Sequence, residues 1–191
     1  MLFGDTIALG PILPVDVPRL FQWADDAEDA RLNEPYRPLN WHQQEGFWLN
    51  AERDPTRAFF AIRSREAGEI IGYVQISRIE PIHRSATIGI RIDRAERGKG
   101  KGREALRLAI DYCWNHLNLT RLTLSVFAGN ETAIGLYTKL GFREEGRLNA
   151  ALFIAGDWID VVLMALHHPD RPAIVPASGL FVTSSPTPVC R

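Results

Sequence analysis

The chain has 191 residues, of which 46% are hydrophobic and 24% charged, as is typical of one globular domain with a sizeable core. Its 22 basic and 23 acidic residues give a formal net charge of −1, which argues against a nucleic-acid partner or an anionic membrane. No apolar run approaches the roughly 20 residues of a membrane span, and the N-terminus lacks the pattern of a signal peptide. Cys113 and Cys190 suggest no disulfide framework, so a cytoplasmic protein is expected.

The first part of the chain predicts one strand and two helices. Residues 6–9 form a short apolar run that predicts a strand, and prolines end it. Asp16 stands where a helix N-cap is expected, with Pro18 in the first turn. A second helix is predicted over residues 41–53 from the spacing of its apolar residues.

Three strands are predicted in the middle of the chain, over residues 58–63, 70–79 and 85–92. They are separated by short turn segments, which favours an antiparallel meander. In the third strand the apolar residues recur at every second position, from Ala86 to Ile92. This strand is therefore expected to bury one face.

Helices and strands alternate in the predicted second half of the domain. Leu106, Ala109, Ile110 and Cys113 follow the spacing of one face of an amphipathic helix. The elements predicted here are a helix over residues 102–117, a strand over residues 122–128, a helix over residues 132–140 that Gly141 closes, and strands over residues 150–154 and 158–165. Residues 1–168 are interpreted as one domain, and the proline-rich residues 169–191 as an extended or disordered tail.

The most informative segment joins the third strand of the meander to the amphipathic helix, and reads Arg97-Gly98-Lys99-Gly100-Lys101-Gly102. Glycines permit positive φ and a close approach of the backbone to a ligand. The amides and the dipole of a helix N-terminus favour phosphate oxygens, and the basic side chains add positive charge. The spacing fits neither a Walker loop nor a dinucleotide fingerprint. These residues predict a phosphate or pyrophosphate site, with a solvated basic turn, or one that touches RNA, as the alternative.

The pattern Arg97-x-x-Gly100-x-Gly102 after a strand resembles the coenzyme A signature of the GNAT superfamily of N-acetyltransferases. The similarity continues in order and spacing through residues 118–124, 130–142, 145–148 and 156–161. It covers about residues 6–166 and is most similar to the branch of ribosomal-protein N-terminal, spermidine and amino-sugar acetyltransferases. The resemblance implies an α/β fold of the α+β type. In it, helices flank a mixed, mostly antiparallel central sheet with a splayed parallel pair.

The resemblance also implies acetyl-CoA as co-substrate, no metal, and a primary amine as acceptor. The backbone of Ile90, Arg91 and Ile92 is expected to pair with the pantetheine arm and the acetyl carbonyl, while the isoleucine side chains pack in the core. The residues whose backbone is expected on the pyrophosphate are Arg97, Gly98, Lys99, Gly100, Lys101 and Gly102.

Two side chains of the next helix receive roles from the same resemblance. Tyr137 is the expected general acid, because a phenol can protonate a strongly basic leaving thiolate. The alternative is an aromatic residue whose hydroxyl only forms a hydrogen bond with the cofactor sulfur or solvent. Asn130 is expected to cap the helix and to contact the cofactor arm.

No general base is predicted. Many relatives have a glutamate where this chain has Thr87, and a threonine hydroxyl takes no proton at neutral pH. His83, Glu80 and Glu34 are candidates, and a chain of water molecules is the alternative.

The acceptor is expected between residues 34–48 and residues 79–84. Acidic residues in these segments suit a cationic amine. The aromatic residues could either stack on a sugar or a base or pack in the core, and they are Tyr36, Trp41 and Trp48. A polyamine, an amino sugar and a protein N-terminal amine all stay open. The rival function is a catalytically inactive coenzyme A-binding sensor or interaction module. A homodimer is expected from the family alone.

Overall fold

A computed structural model describes residues 1–26, 28 and 38–170. Its elements are, in chain order, β1 (Leu2–Phe3), β2 (Ile7–Gly10), α1 (Val17–Ala24), α2 (Trp41–Leu49), β3 (Ala58–Ser64), β4 (Ile70–Glu80), β5 (Ser85–Ile92), α3 (Lys101–Asn115), β6 (Arg121–Phe127), α4 (Glu131–Lys139), β7 (Arg143–Ile154) and β8 (Asp157–His167). Within these residues the strands form an eight-stranded sheet in the order β1-β2-β3-β4-β5-β6-β8-β7.

The sheet has one parallel pair in the described part of the chain, β5 with β6, and its other neighbours pair antiparallel. The parallel register begins with Ser85 opposite Arg121 and ends with Thr87 opposite Thr123. Both strands continue beyond it, β5 to Ile92 and β6 to Phe127, without pairing to each other. The predicted mixed sheet with a splayed parallel pair is confirmed.

The helices cover both faces of the sheet. Adjacent residues of a strand point to opposite faces, and Phe59 and Phe60 show which helix lies on which side. Phe59 packs against Trp48 of α2, with ring centroids 5.1 Å apart. Phe60 packs against Tyr112 of α3, at 4.9 Å. The main core therefore lies under α3, and a smaller one lies under α1 and α2.

The predicted meander β3–β4–β5 and the amphipathic face of α3 are confirmed. Leu106, Ala109, Ile110 and Cys113 are all buried, and they pack on buried residues of the central strands such as Val74. Burying a leucine or isoleucine side chain contributes about 1.5–3 kcal/mol, so this face fixes α3 firmly on the sheet.

Several boundaries differ from the sequence predictions. β1 was not predicted, and α2 ends at Leu49, before a short 3₁₀ turn over Ala51–Arg53. β7 begins at Arg143, whereas the sequence prediction placed its start at residue 150. The prediction missed the first half of this strand because its residues are mostly exposed and polar, and so show no alternating apolar pattern. No helix in the described ranges is long and apolar enough to cross a membrane. Most of the predicted tail, from residue 171 on, lies outside the described residues.

Asp16 occupies the predicted N-cap position of α1, but its side chain has other partners. Its side chain does not accept from the first turn of α1. It accepts instead from the amide of Leu13 at 2.7 Å and from Arg63 of β3, whose two terminal nitrogens lie 2.9 and 2.6 Å from its two oxygens. Asp16 is only 3% exposed, and a guanidinium satisfies a buried carboxylate better than a helix amide does.

Candidate functional site

The opening between β5 and β6 contains three of the predicted site residues. Ile90, Arg91 and Ile92 all lie beyond the last parallel pair, and on their other side they are in register with β4. Since backbone groups of a strand project toward both neighbours, the edge of β5 that faces β6 has donors and acceptors for an extended ligand. The side chains of Ile90 and Ile92 are half-buried and pack against the main core, as predicted.

The glycine turn that follows β5 has the backbone that the sequence predicts. After a 3₁₀ turn over Arg94–Glu96, Gly98 has φ +77° and Gly100 has φ +80°. A Cβ atom built on either glycine has no atom within 4 Å. Gly100 is the N-cap of α3, so open space lies directly beside the first amides of this helix.

Gly102 brings three elements to one point. A Cβ atom built there would lie 3.4 Å from Ile92 Cγ1, 3.8 Å from Ile90 Cδ1 and 3.9 Å from Leu136 Cδ2. The first turn of α3, the open stretch of β5 and α4 therefore meet at Gly102. Of the predicted site residues, Ile90, Ile92 and Gly102 are therefore close in space, and α4, which carries Tyr137, reaches this point through Leu136.

The basic side chains of the turn have protein partners. Glu96 accepts from Lys99 Nζ at 3.0 Å and from Lys101 Nζ at 2.6 Å. These two bonds, that from Lys101 first, hold the pKa of Glu96 below its usual value. Arg97 Nε donates to the carbonyl of Ile92 at 3.0 Å. The turn thus offers a ligand mainly its backbone amides, whereas the sequence suggested the charges of all three side chains.

Tyr137 lies on α4, one residue after Leu136. Its side chain is 7% exposed and its ring centroid lies 5.7 Å from that of Phe142. Burial raises the pKa of the Tyr137 hydroxyl to about 12, so the group stays protonated at neutral pH. A protonated phenol can donate a proton to an anionic leaving group that forms within its reach.

Asn130 caps α4. Its side-chain oxygen accepts from the amide of Ala133 at 3.1 Å. The predicted N-cap is confirmed, and the predicted contact with a cofactor arm stays a prediction. Since β6 ends at Phe127, this cap fixes where α4 starts relative to the strand opening.

Residues 7–143 match the family model described as the acetyltransferase (GNAT) domain. The chain belongs to the GNAT acetyltransferase family.

This GNAT chain is similar to two relatives of known sequence and to one solved structure, as follows. It is 34% identical over 133 residues to the spermidine N(1)-acetyltransferase of Vibrio cholerae, covering 70% of this chain and 75% of that protein. It is 40% identical over 99 residues to the enzyme of that name from Escherichia coli K12, but this match spans only about half of either chain, 52% of this one and 53% of the other. The crystal structure of the Vibrio cholerae spermidine N-acetyltransferase in complex with CoA and spermine superposes with a TM-score of 0.79, at 28% identity, over 86% of this chain and 96% of that one.

The two candidate bases that the structure describes, Glu80 and His83, lie away from the strand opening of this GNAT domain. The Thr87 hydroxyl is in hydrogen-bond contact with that of Thr123, at 3.2 Å. Glu80 and His83 are exposed near the turn before β5, at the end of the strand away from the glycine turn. Ile90 lies about 16 Å along the strand from Ser85, at roughly 3.3 Å per residue. Glu34 lies outside the described residues.

The aromatic residues predicted for the acceptor side have different positions. Trp48 is buried in the smaller core, which confirms the core alternative for it. Trp41 lies at the surface of α2 and contacts Phe21, with ring centroids 5.1 Å apart. Tyr36 lies outside the described residues.

Sequence reasoning missed the contacts that hold α1 against the end of β5. Asp93 Oδ2 accepts from Arg19 Nη2 at 2.5 Å and from the indole of Trp23 at 2.9 Å, while Oδ1 accepts from the Ala95 amide at 2.9 Å. Burial would raise the pKa of Asp93, but these three donors outweigh it and lower the pKa. Arg91 in turn donates to the carbonyl of Trp23. Because Arg19 and Trp23 lie about 70 positions from Asp93, no local pattern could have revealed this network.

Proposed function

We propose that this GNAT protein transfers the acetyl group of acetyl-CoA to a primary amine of a polyamine such as spermidine. The observation that carries the proposal is the strand opening, because it lies directly beside the glycine turn and the N-terminus of α3. The similarity to spermidine acetyltransferases over most of the chain supports the choice of acceptor.

The residues present fit coenzyme A. Its diphosphate would lie at the first amides of α3, where the left-handed Gly98 and Gly100 leave open space. Its pantetheine arm, which carries amide groups, would pair with the edge of β5 at Ile90, Arg91 and Ile92. Bound acetyl-CoA supplies the acetyl group as a thioester.

Tyr137 completes the transfer as the general acid. The neutral amine forms a bond to the acetyl carbon, and the carbon–sulfur bond breaks. The leaving thiolate takes the proton of the Tyr137 hydroxyl, and the proton that the nitrogen loses on becoming an amide restores the phenol. Burial keeps the proton on the Tyr137 phenol in the resting enzyme.

Acidic residues cluster at the end of α1, near the end of β5. Asp25 and Asp26 directly follow this helix, Glu28 comes two residues later, and Asp93 lies against its last turn. Arg94 lies 3.2 Å from Glu28 and 3.9 Å from Asp26, so the segment stays near the end of β5. Arg19 pairs with Asp93, and Arg94 pairs with Asp26 and Glu28, so these carboxylates are largely neutralised by the protein itself. The choice of a polyamine therefore rests on the similarity to spermidine acetyltransferases.

The experiment is an acceptor panel. Purified protein and acetyl-CoA are mixed with spermidine, peptides that start with alanine or serine, and amino-sugar nucleotides, and free thiol is followed. We expect the highest kcat/KM with spermidine. Turnover of a peptide or an amino sugar alone would move the acceptor to that class. Tight binding of coenzyme A with no turnover of any amine would favour the inactive sensor, and absence of coenzyme A binding would contradict the proposal.

We also propose that the protein self-associates through the β7–β8 hairpin. Leu148, Phe153 and Trp158 are exposed on this hairpin, and β7 is the last strand of the sheet. Exposed apolar groups next to a strand edge favour pairing with another chain. Light scattering should give a mass above that of one chain. Substitution of Phe153 and Trp158 by serine should lower it, and an unchanged mass would exclude this surface.

A further inference from the structure

A groove of about 310 Å³ lies between α3 and the end of α4. Its lining residues are Arg103, Arg107, Ile110, Asp111, Lys139 and Leu140. Arg103 and Arg107 are one helical turn apart and exposed, and Lys139 faces them from α4. Three cations therefore converge on a space with an apolar wall.

These cations differ from the lysines of the glycine turn. Lys99 and Lys101 share Glu96, whereas Arg103, Arg107 and Lys139 form no ion pair with any residue that the structure describes. Asp111 is the one acid of the groove lining, a further turn along α3 from Arg107. The groove keeps a net positive charge, and this charge is concentrated toward the N-terminus of α3.

The groove begins where the proposed diphosphate site ends. Arg103 directly follows Gly102, and Arg107 lies about 6 Å further along the helix axis, at 1.5 Å per residue. A ligand whose diphosphate occupies the first amides of α3 can thus extend its next group into the groove. In coenzyme A that group is a ribose with a separate phosphate monoester on its 3′ oxygen.

We propose that Arg103, Arg107 and Lys139 bind the 3′-phosphate of coenzyme A and make the enzyme prefer it over 3′-dephospho-coenzyme A. This inference rests on the proposed function. Guanidinium groups match phosphate geometry with paired donors, and a monoester carries almost two negative charges. Ile110 and Leu140 provide apolar contact for the attached nucleoside. Asp111 disfavours a longer polyanion that runs on along the helix.

Calorimetric titration with coenzyme A and with 3′-dephospho-coenzyme A tests the inference without turnover. We expect the wild type to bind the dephospho ligand about tenfold to hundredfold more weakly, as for the loss of hydrogen bonds to a charged group. In the double variant Arg107→Gln, Lys139→Gln the affinity for coenzyme A should fall by a similar factor and that for the dephospho ligand should stay unchanged. Arg147→Gln, an exposed arginine of β7 outside the groove, is the matched control.

The other outcomes overturn the inference in distinguishable ways. Equal affinity of the wild type for both ligands would exclude a 3′-phosphate site and leave the proposed function intact. An equal loss of affinity for both ligands in the double variant would show that the cations act on the diphosphate or on the fold. Circular dichroism of the single variants would distinguish these two explanations. Binding of neither ligand by the wild type would contradict the proposed function and the inference together.

Discussion

The glycine-turn region, residues 88–102, and the α1 region, residues 11–26, both border the strand opening but are held in different ways. In the glycine-turn region the conformation follows from neighbours in sequence. Asp93 caps the turn at Ala95, Glu96 pairs with lysines three and five positions on, and two glycines supply positive φ. The α1 region is held by partners 47 to 74 positions away. The first can therefore be interpreted from sequence, and the second cannot.

This difference matches the division of the proposed chemistry. A cofactor that is the same in every family member suits a backbone site, which needs only glycines and a helix N-terminus. The α1 region, in contrast, is held by side-chain pairs such as Arg63 with Asp16 and Arg19 with Asp93. The following substitutions break or sharpen the comparison, beginning with the largest expected effect.

Tyr137→Phe should lower kcat about 10²–10⁴-fold, the usual contribution of a general acid. The phenylalanine keeps the packing against Phe142, so coenzyme A affinity and thermal stability should change little. Thiol-release kinetics measure the effect, and Tyr112→Phe, on the core side of α3, is the control. A kcat within a few-fold of wild type would exclude the acid role.

Arg63→Met should lower the free energy of unfolding by about 3–5 kcal/mol, because it leaves a buried carboxylate without its partner. The side chains of Arg63 and Asp16 are 14% and 4% exposed. Those of Arg121 and Glu145 are 35% and 40% exposed, so Arg121→Met should cost about 1 kcal/mol or less. Urea denaturation of both variants checks this. Equal costs would contradict the view that long-range burial holds the α1 region.

Gly100→Ala should lower the free energy of unfolding by about 1–2 kcal/mol, the cost of a left-handed conformation for a residue with a Cβ atom. If the turn readjusts to avoid this strain, the KM for acetyl-CoA should rise while kcat stays near wild type. Gly135→Ala is the control, since this glycine lies inside α4 with open space around it and alanine favours a helix. Identical behaviour of the two variants would show that the turn does not depend on positive φ.

Glu104→Gln tests a long-range contact between α3, the helix that follows the glycine turn, and Thr6 near the start of the chain. Glu104 accepts from the amide of Thr6 at 2.9 Å and from its hydroxyl at 2.5 Å. Burial would raise the pKa of Glu104, but the bonds from Thr6 and neighbouring amides outweigh it and lower the pKa. The ionised Glu104 carboxylate therefore contributes its full stabilisation of the fold above pH 4.5, the ordinary pKa of a glutamate. This stabilisation is lost as the pH falls through the lowered pKa of the folded protein.

At pH 7 the Glu104→Gln variant should be less stable than wild type by about 1 kcal/mol, and the difference should shrink in more acidic solution. Glu66→Gln, an exposed residue in the β3–β4 turn, is the control. A stability difference that does not depend on pH would show that the charge of Glu104 is not what stabilises the contact.

Much of the fold was predictable, because the patterns that encode it are local. The period of two in β5, the helical spacing in α3, the cap at Asn130 and the positive φ at Gly100 are each specified within a few residues. The first half of β7 was missed because its residues are exposed, so burial left no alternation to detect.

The candidate site was predictable only where the backbone forms it. Asp16 stands at the predicted N-cap position, but its side chain bonds to the Leu13 amide and to the distant Arg63 guanidinium rather than to the first turn of α1. The charges assigned to Lys99 and Lys101 are already paired with Glu96, a local contact that the sequence prediction did not take into account. The general base stays unassigned, since the side chains offered by the sequence lie at the wrong end of β5 or outside the described residues.

Transfer of an isotope-labelled acetyl group from acetyl-CoA to spermidine, followed by mass spectrometry of the polyamine, tests the central claim most directly. The proposed function predicts labelled monoacetyl-spermidine with the wild type, with the rate strongly reduced in Tyr137→Phe. If coenzyme A binds and the spermidine stays unlabelled at substrate saturation, the proposed polyamine acetyltransferase activity is wrong.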